Sequence, residues 1–168
     1  PKQLERFIGI NEIRIAVELA GVPVVYFFAA WEIHRFNWPY SIIPDAVFTV
    51  DLDSRLTFVA EHDRGSETVE QFIRKLRFYR GDLNGFGFDG VLVFCDTQGR
   101  LETLGRAVRR SGLPVVPCFG TRLTDLRQGG LLSPIFVDLS EPEGHQGTSS
   151  LRDCGYLVEV SCRKEGFR

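Results

Sequence analysis

The chain of 168 residues is long enough to bury one hydrophobic core and too short for two ordinary domains. With 43% hydrophobic and 25% charged residues it has a globular composition, which excludes wholesale disorder. A formal net charge of −2 excludes nucleic-acid binding by bulk charge, so any such contact must be local.

No run approaches the ~18 apolar residues of a membrane span, and nothing at the start resembles a cleavable signal, so a cytoplasmic protein without membrane contact is expected. The four cysteines, Cys95, Cys118, Cys154 and Cys162, form no CxxC pair. Cys95 and Cys118 lie in apolar runs, where a buried free thiol is the default, and the Cys and His spacings fit no standard zinc pattern. The chain begins at Pro1 and contains no Met. It reads as a single domain, 1–168, cut from a longer protein, with 120–168 as a C-terminal extension of that domain.

In chain order, residues Lys2 to Ala20 read as a helix ended by Gly21 and Pro23. At ~100° per residue Leu4, Ile8, Ile15 and Leu19 share one stripe, and Ile10, Ile13 and Val17 lie nearly opposite. A helix apolar on both sides is expected to be sandwiched. Glu12 falls within the first stripe, where a metal or a basic side chain would have to partner it, and Glu18 lies at its edge. Val22 to Trp31 reads as a strand buried on both faces. Glu32 to Tyr40 reads as a connector whose aromatic residues, with Trp31, suit packing better than base stacking.

Ile42 to Leu52 and Leu56 to His62 read as two strands joined by a short polar turn. Such a hairpin brings Asp45, Glu61 and Asp63 to one end, where three carboxylates make a hard-oxygen cage suited to Mg²⁺ or Mn²⁺. Ser66 is the expected N-cap of the next helix, with Val69, Phe72, Ile73 and Leu76 inward. Lys75 and Tyr79 stand one turn apart on it and can face the same spot. Arg74, Lys75, Arg77 and Arg80 form one local basic cluster, and Arg106, Arg109 and Arg110 another; both also read as solvated helix faces.

Gly81 to Gly87 reads as a glycine-rich turn, Phe88 to Cys95 as a strand, Arg100 to Ser111 as a helix and Val115 to Phe119 as a short buried strand. Beyond Gly120, a helical turn over Leu123 to Arg127, a strand over Ile135 to Leu139 and a polar loop over Glu141 to Ser150 are expected. Tyr156 to Cys162 reads as a last exposed strand or an ordered tail. The sum is an α/β fold, a mixed central sheet with flanking helices and a meander at its front.

The order helix, three-strand meander, helix, strand, with Pro44-Asp45 on the second strand and Glu61 on the third, resembles the PD-(D/E)XK nuclease superfamily. The runs N-E-I-R-I-A-V-E-L, P-D-A-V-F-T-V-D and A-E-H-D-R-G-S-E-T-V-E-Q-F-I-R-K-L-R-F-Y look more narrowly like the nuclease-like half of bacterial replication-relaxation proteins, encoded on plasmids and other mobile elements. The resemblance covers about the first two thirds of the chain. It implies a restriction-endonuclease-like αβββαβ core, DNA as partner, an upstream winged-helix domain, and Mg or Mn as cofactor. Protein partners and a homodimer are left open.

Carried over by position, Asp45 and Glu61 match the metal-binding acids, and Glu12, or less well Glu18, the acid supplied by the first helix. The motif's lysine is expected at position 63, which holds Asp63 instead. Lys75 is the candidate replacement, and Lys75-x-x-x-Tyr79 is similar to the Q-x-x-x-Y element of some exonuclease branches. The implied activity is metal-dependent hydrolysis of DNA phosphodiesters, with Asp45, Glu61, Asp63 and Lys75 catalytic and Arg64, Arg74, Arg77 and Tyr79 touching DNA. The alternative is a catalytically inactive, nuclease-derived module that binds DNA or a protein. Asp51-x-Asp53 does not complete a haloacid dehalogenase motif, and Gly85-x-Gly87 precedes a strand, which argues against a Rossmann site.

Overall fold

Side chains along the third strand alternate between two buried faces, and this alternation sorts the chain into layers. The computed structural model describes residues 2–38, 42–86, 88–112, 117–142 and 147–164, with side chains of 2, 80–86 and 159–164 excepted. Its elements are α1 (Lys2–Glu18), β1 (Val24–Ala29), α2 (Ala30–Ile33), β2 (Ala46–Asp51), β3 (Arg55–Asp63), α3 (Val69–Phe86) and β4 (Gly90–Cys95). They continue with α4 (Gln98–Ser111), β5 (Cys118–Arg122), α5 (Leu123–Gly129), β6 (Phe136–Asp138), β7 (Thr148–Ser149) and α6 (Leu151–Lys164).

The seven strands form one mixed sheet in chain order, β1 to β7. β1, β2 and β3 make an antiparallel meander, β3, β4 and β5 run parallel, and β6 and β7 return antiparallel. Parallel neighbours require crossovers, and α3 and α4 supply them. Phe72, Leu76 and Tyr79 of α3 and Leu101 and Leu104 of α4 pack on one face of the sheet with Val47, Val59, Val91 and Val93. The other face carries Phe48, Phe58, Ala60, Leu92 and Phe94 beneath Ile10, Ile13 and Val17 of α1, with Leu126 of α5 and Leu151, Cys154 and Val158 of α6. Every residue of β4 is buried, as a parallel strand covered on both faces requires. The expected α/β architecture with flanking helices is thus present.

Several boundaries differ from the sequence reading, each for a local reason. Trp31 leaves the strand and enters the short helix α2, where Glu32 accepts the Ala29 N–H at 2.8 Å. The cap of α3 is Thr68, not Ser66. Thr68 Oγ1 accepts the Gln71 N–H at 3.2 Å and Gln71 Oε1 accepts the Thr68 N–H at 2.8 Å, a capping box. α3 continues through Gly81 to Phe86 where a turn was expected.

The segment expected as a last strand is part of α6, and Ser149 in the expected loop pairs with Phe136. Gly87, Leu113–Val116 and residues 39, 40 and 143–146, where several of the expected turns and ends fall, lie outside the described residues. So do the side chains of Arg80 and Cys162. Cys95, Cys118 and Cys154 are buried free thiols. Trp31 and Phe36 pack against Phe7 and Phe28, with ring centroids 4.7 and 5.0 Å apart, and Trp38 lies 6.0 Å from Phe88.

α1 docks on the sheet through Gly9. A Cβ there would overlap the ring of His62, which is locked from the other side by a 2.9 Å hydrogen bond from Nε2 to Asp96. His62 Nδ1 faces α1 at Gly9 and is buried without a hydrogen-bond partner. Gly9→Ala therefore lowers stability by about 1–3 kcal/mol in spite of alanine's better helix propensity. Gly99→Ala, at an open position in the first turn of α4 where an added Cβ meets nothing within 4 Å, leaves stability equal or higher by up to about 1 kcal/mol. Urea midpoints of the two variants check this opposite pair of signs.

Candidate functional site

Antiparallel register sets Asp45 beside Glu61. Ala46 pairs with Ala60, so the residues one step further out, Asp45 and Glu61, are the next opposed pair at the end of the hairpin. Both side chains fall on the α3 face, because Val47 and Val59, two residues away on each strand, face α3. Both are nearly inaccessible, at 2% and 4% exposure. Two carboxylates that close and that dry repel strongly, and each has been given a cation.

Asp45 Oδ1 receives the Arg6 guanidinium from α1, and Oδ2 accepts the His62 backbone N–H at 2.8 Å. Burial works against the charge on Arg6, but Asp45 outweighs it and holds the guanidinium above its ordinary value. Glu61 Oε2 accepts from Lys75 Nζ at 3.0 Å, and Oε1 accepts the Tyr79 hydroxyl. Lys75 also meets Glu67 Oε1 at 3.1 Å. The one-turn spacing of Lys75 and Tyr79 does put both on a single target, and that target is Glu61.

Protonation is set by competition. Burial first, and Asp45 second, push the Glu61 carboxyl up to about 7 in spite of Lys75 and Tyr79. Lys75 moves upward as well: burial opposes its charge, but Glu61, Glu67 and Asp45 surround it and prevail. The two displacements pull opposite ways on the same ion pair. The ammonium gains several acids, whereas Glu61 gains one ammonium and a phenol against complete enclosure and a second acid, so the labile proton is that of Glu61. The Tyr79 hydroxyl is raised well above its ordinary value, by burial and then by Glu61, and stays a donor.

Asp63 lies on the same face two residues further along β3 but is engaged elsewhere. Arg100 of α4 grips it through Nε and Nη2, at 2.7 and 2.9 Å, and the Gly65 N–H donates to it at 2.7 Å. Arg100 also donates to the Glu67 carbonyl at 2.7 Å, which ties the start of α4 to the loop before α3. Glu12 is on the opposite side of the sheet, paired with Arg127 at 2.7 Å beside a second cavity of about 430 Å³.

The expected convergence of three carboxylates thus becomes a pair, Asp45 and Glu61, with Asp63 nearby in its own ion pair and Glu12 apart. Among the described residues no group of three or more His, Cys, Asp or Glu side chains is placed to hold a metal ion. Arg64 pairs with Glu5 and approaches Asp96, while Arg74 and Arg77 are exposed on α3.

A cavity of about 260 Å³ opens over Asp45, lined by Arg6, Asp45, Asp63, Arg64, Glu67 and Lys75, with Gln3, His62 and Ser66 at its walls. Glu61 sits behind Lys75. Arg6, Glu67 and Arg100 escaped the sequence reading. Arg6 was within reach of it: at the helical repeat it lies between Ile10 and Ile13 on the sheet-facing stripe, and a cation there requires an acid.

Carboxylates are the donors that a hard cation such as Mg²⁺ takes, and of the two only Asp45 lines the cavity. In this structure Lys75, largely buried with its side chain 23% exposed, and Arg6, 53% exposed, occupy the two carboxylates. Comparison with protein-family models, with curated proteins and with solved structures finds no match for this chain.

The pH dependence follows. A carboxyl raised in the folded state stabilises the fold fully below its ordinary value of 4.5, and that contribution is lost as pH rises through about 7. The whole displacement corresponds to about 3 kcal/mol at full ionisation. In metal-free buffer the wild-type protein loses stability between pH 5 and about 8, and Glu61→Gln flattens that slope. Urea titrations across the range measure it.

Proposed function

We propose that the chain is a nuclease-like domain that hydrolyses DNA phosphodiesters with the help of Mg²⁺ or Mn²⁺, in plasmid or mobile-element replication. The observation that carries this reading is the Asp45–Glu61 pair at the hairpin end with Lys75 reaching Glu61. The strand order β1-β2-β3-β4, an antiparallel meander followed by a parallel fourth strand beyond a helix, supports the restriction-endonuclease-like core that the sequence resemblance implies.

Asp45 and Glu61 would hold the cation, and Glu12, on the opposite side of the sheet and paired with Arg127, would not. A bound divalent ion supplies Lewis-acid polarisation of a phosphoryl oxygen and a water of lowered pKa. The chain's own residues do the rest. Lys75, released from Glu61, stands at the cavity and stabilises the negative charge that develops on the phosphoryl oxygens. Tyr79 remains a hydrogen-bond donor to Glu61 and fixes the carboxylate's rotamer. Arg100 keeps Asp63 and the Glu67 loop in place, so position 63 acts as a brace for the site's rim where the superfamily motif has a lysine. Arg64 lines the cavity mouth, and Arg74 and Arg77, exposed on the same helix as Lys75, supply local positive charge for flanking phosphates.

The second reading, an inactive module that binds DNA or a protein, is favoured by the same salt bridges: Arg6 on Asp45 and Lys75 on Glu61 neutralise the pair without a metal. Calorimetric titration with Mn²⁺ separates the two. Binding to the wild type that Asp45→Ala abolishes supports the hydrolase, and absence of heat in both proteins supports the inactive module. On the hydrolase reading, Lys75→Ala retains Mn²⁺ binding and lowers the rate of plasmid nicking by about 10²–10³, the cost of removing one transition-state charge partner. An unchanged nicking rate in Lys75→Ala would remove that residue from the chemistry.

A further inference from the structure

α1 is apolar on two sides, and the sheet covers one of them. Ile10, Ile13 and Val17 are buried against the sheet, whereas Leu4 is 62% exposed, Phe7 48%, Ile8 46%, Ile15 54% and Leu19 79%. The helix continues to Leu19, whose N–H donates to the Ile15 carbonyl at 2.9 Å. The exposed side chains run the length of the helix, ~22 Å at 1.5 Å per residue. Phe7 packs on Trp31 of α2 and Arg127 of α5 reaches Glu12 at the edge of the stripe, but the described residues leave the rest of it exposed.

We infer that this stripe is the interface of a symmetric homodimer in which two copies of α1 pack antiparallel. The spacing of Leu4, Ile8, Ile15 and Leu19 is 4, 7 and 4 residues, the same from either end. A two-fold axis between Asn11 and Glu12 therefore sets Leu4 on Leu19 and Ile8 on Ile15, twice over, as an isologous contact requires. Helical periodicity alone gives such a spacing, and here it makes the face complementary to itself.

Near the axis, Asn11 already donates one amide proton to the Phe7 carbonyl at 2.9 Å, and its remaining polar atoms meet those of its symmetry mate. Glu12, paired with Arg127, supplies a charged rim. The five apolar residues expose on the order of 600 Å² per copy, at the top of the range that monomers leave in one patch and, for two copies, at the lower bound of stable interfaces. The pairing is expected to be weak, with a dissociation constant on the order of 1–100 μM.

Sedimentation velocity on the chain from about 1 to 200 μM tests the pairing. The wild type is expected to pass from monomer to dimer across this range. Ile8→Lys and Ile15→Glu alone are each expected to raise the dissociation constant at least about tenfold, and Leu19→Ser, at the most exposed side chain, to weaken it without touching the core. The double variant Ile8→Lys/Ile15→Glu brings opposite charges together across the axis and is expected to recover dimer relative to either single variant. Far-UV circular dichroism verifies that each variant is folded. A wild type that stays monomeric overturns the inference, as does a dimer that the single variants leave intact. A double variant that remains monomeric while folded overturns the antiparallel register.

Discussion

Two buried carboxylates held side by side are the constraint on which the rest of this structure depends. Asp45 and Glu61 are opposed because the β2–β3 register places them so, and their repulsion is offset by cations drawn from two different helices. Arg6 ties the first turns of α1 to the strand end, and Lys75 with Tyr79 ties the middle of α3 to it. The site therefore also fastens a helix from each layer to the sheet. A buried ion pair of this kind adds little net stability, and breaking one partner is expensive, which suits a site more than a scaffold.

Much of the site was legible because its parts are local. The hairpin over β2 and β3, the two acids at its end and the one-turn spacing of Lys75 and Tyr79 all follow from short-range pattern, and the coordinates bring these four residues together. Its remaining parts depend on contacts far along the chain. Arg100 reaches Asp63 from α4, and Arg6 reaches Asp45 across 39 positions, so neither partnership leaves a local spacing to read. Glu12 shows the opposite failure: its helical stripe was identified, but the stripe faces outward, and its partner is Arg127.

The fold was readable to a similar depth. Continuous apolar runs marked the central strands, and alternation marked the layers. The end of the chain misled because Tyr156, Val158 and Val160 suit a strand, while tertiary packing favours a helix. Gly155 lies against Leu56, where a Cβ would crowd its methyl group, so the glycine serves close approach of α6 to the sheet. α1 carries the same lesson in another form. Its doubly apolar character was evident from periodicity alone, and one of its two faces stays largely exposed among the described residues.

A carbon-13 NMR titration of the Glu61 side-chain carboxyl, without and with Mg²⁺, tests most directly whether the acid pair is built to receive a cation. The account predicts a titration near 7 in metal-free protein, and a fall toward or below the ordinary carboxyl range once Mg²⁺ is present. A Glu61 carboxyl that titrates near 4.5 in both conditions would contradict it.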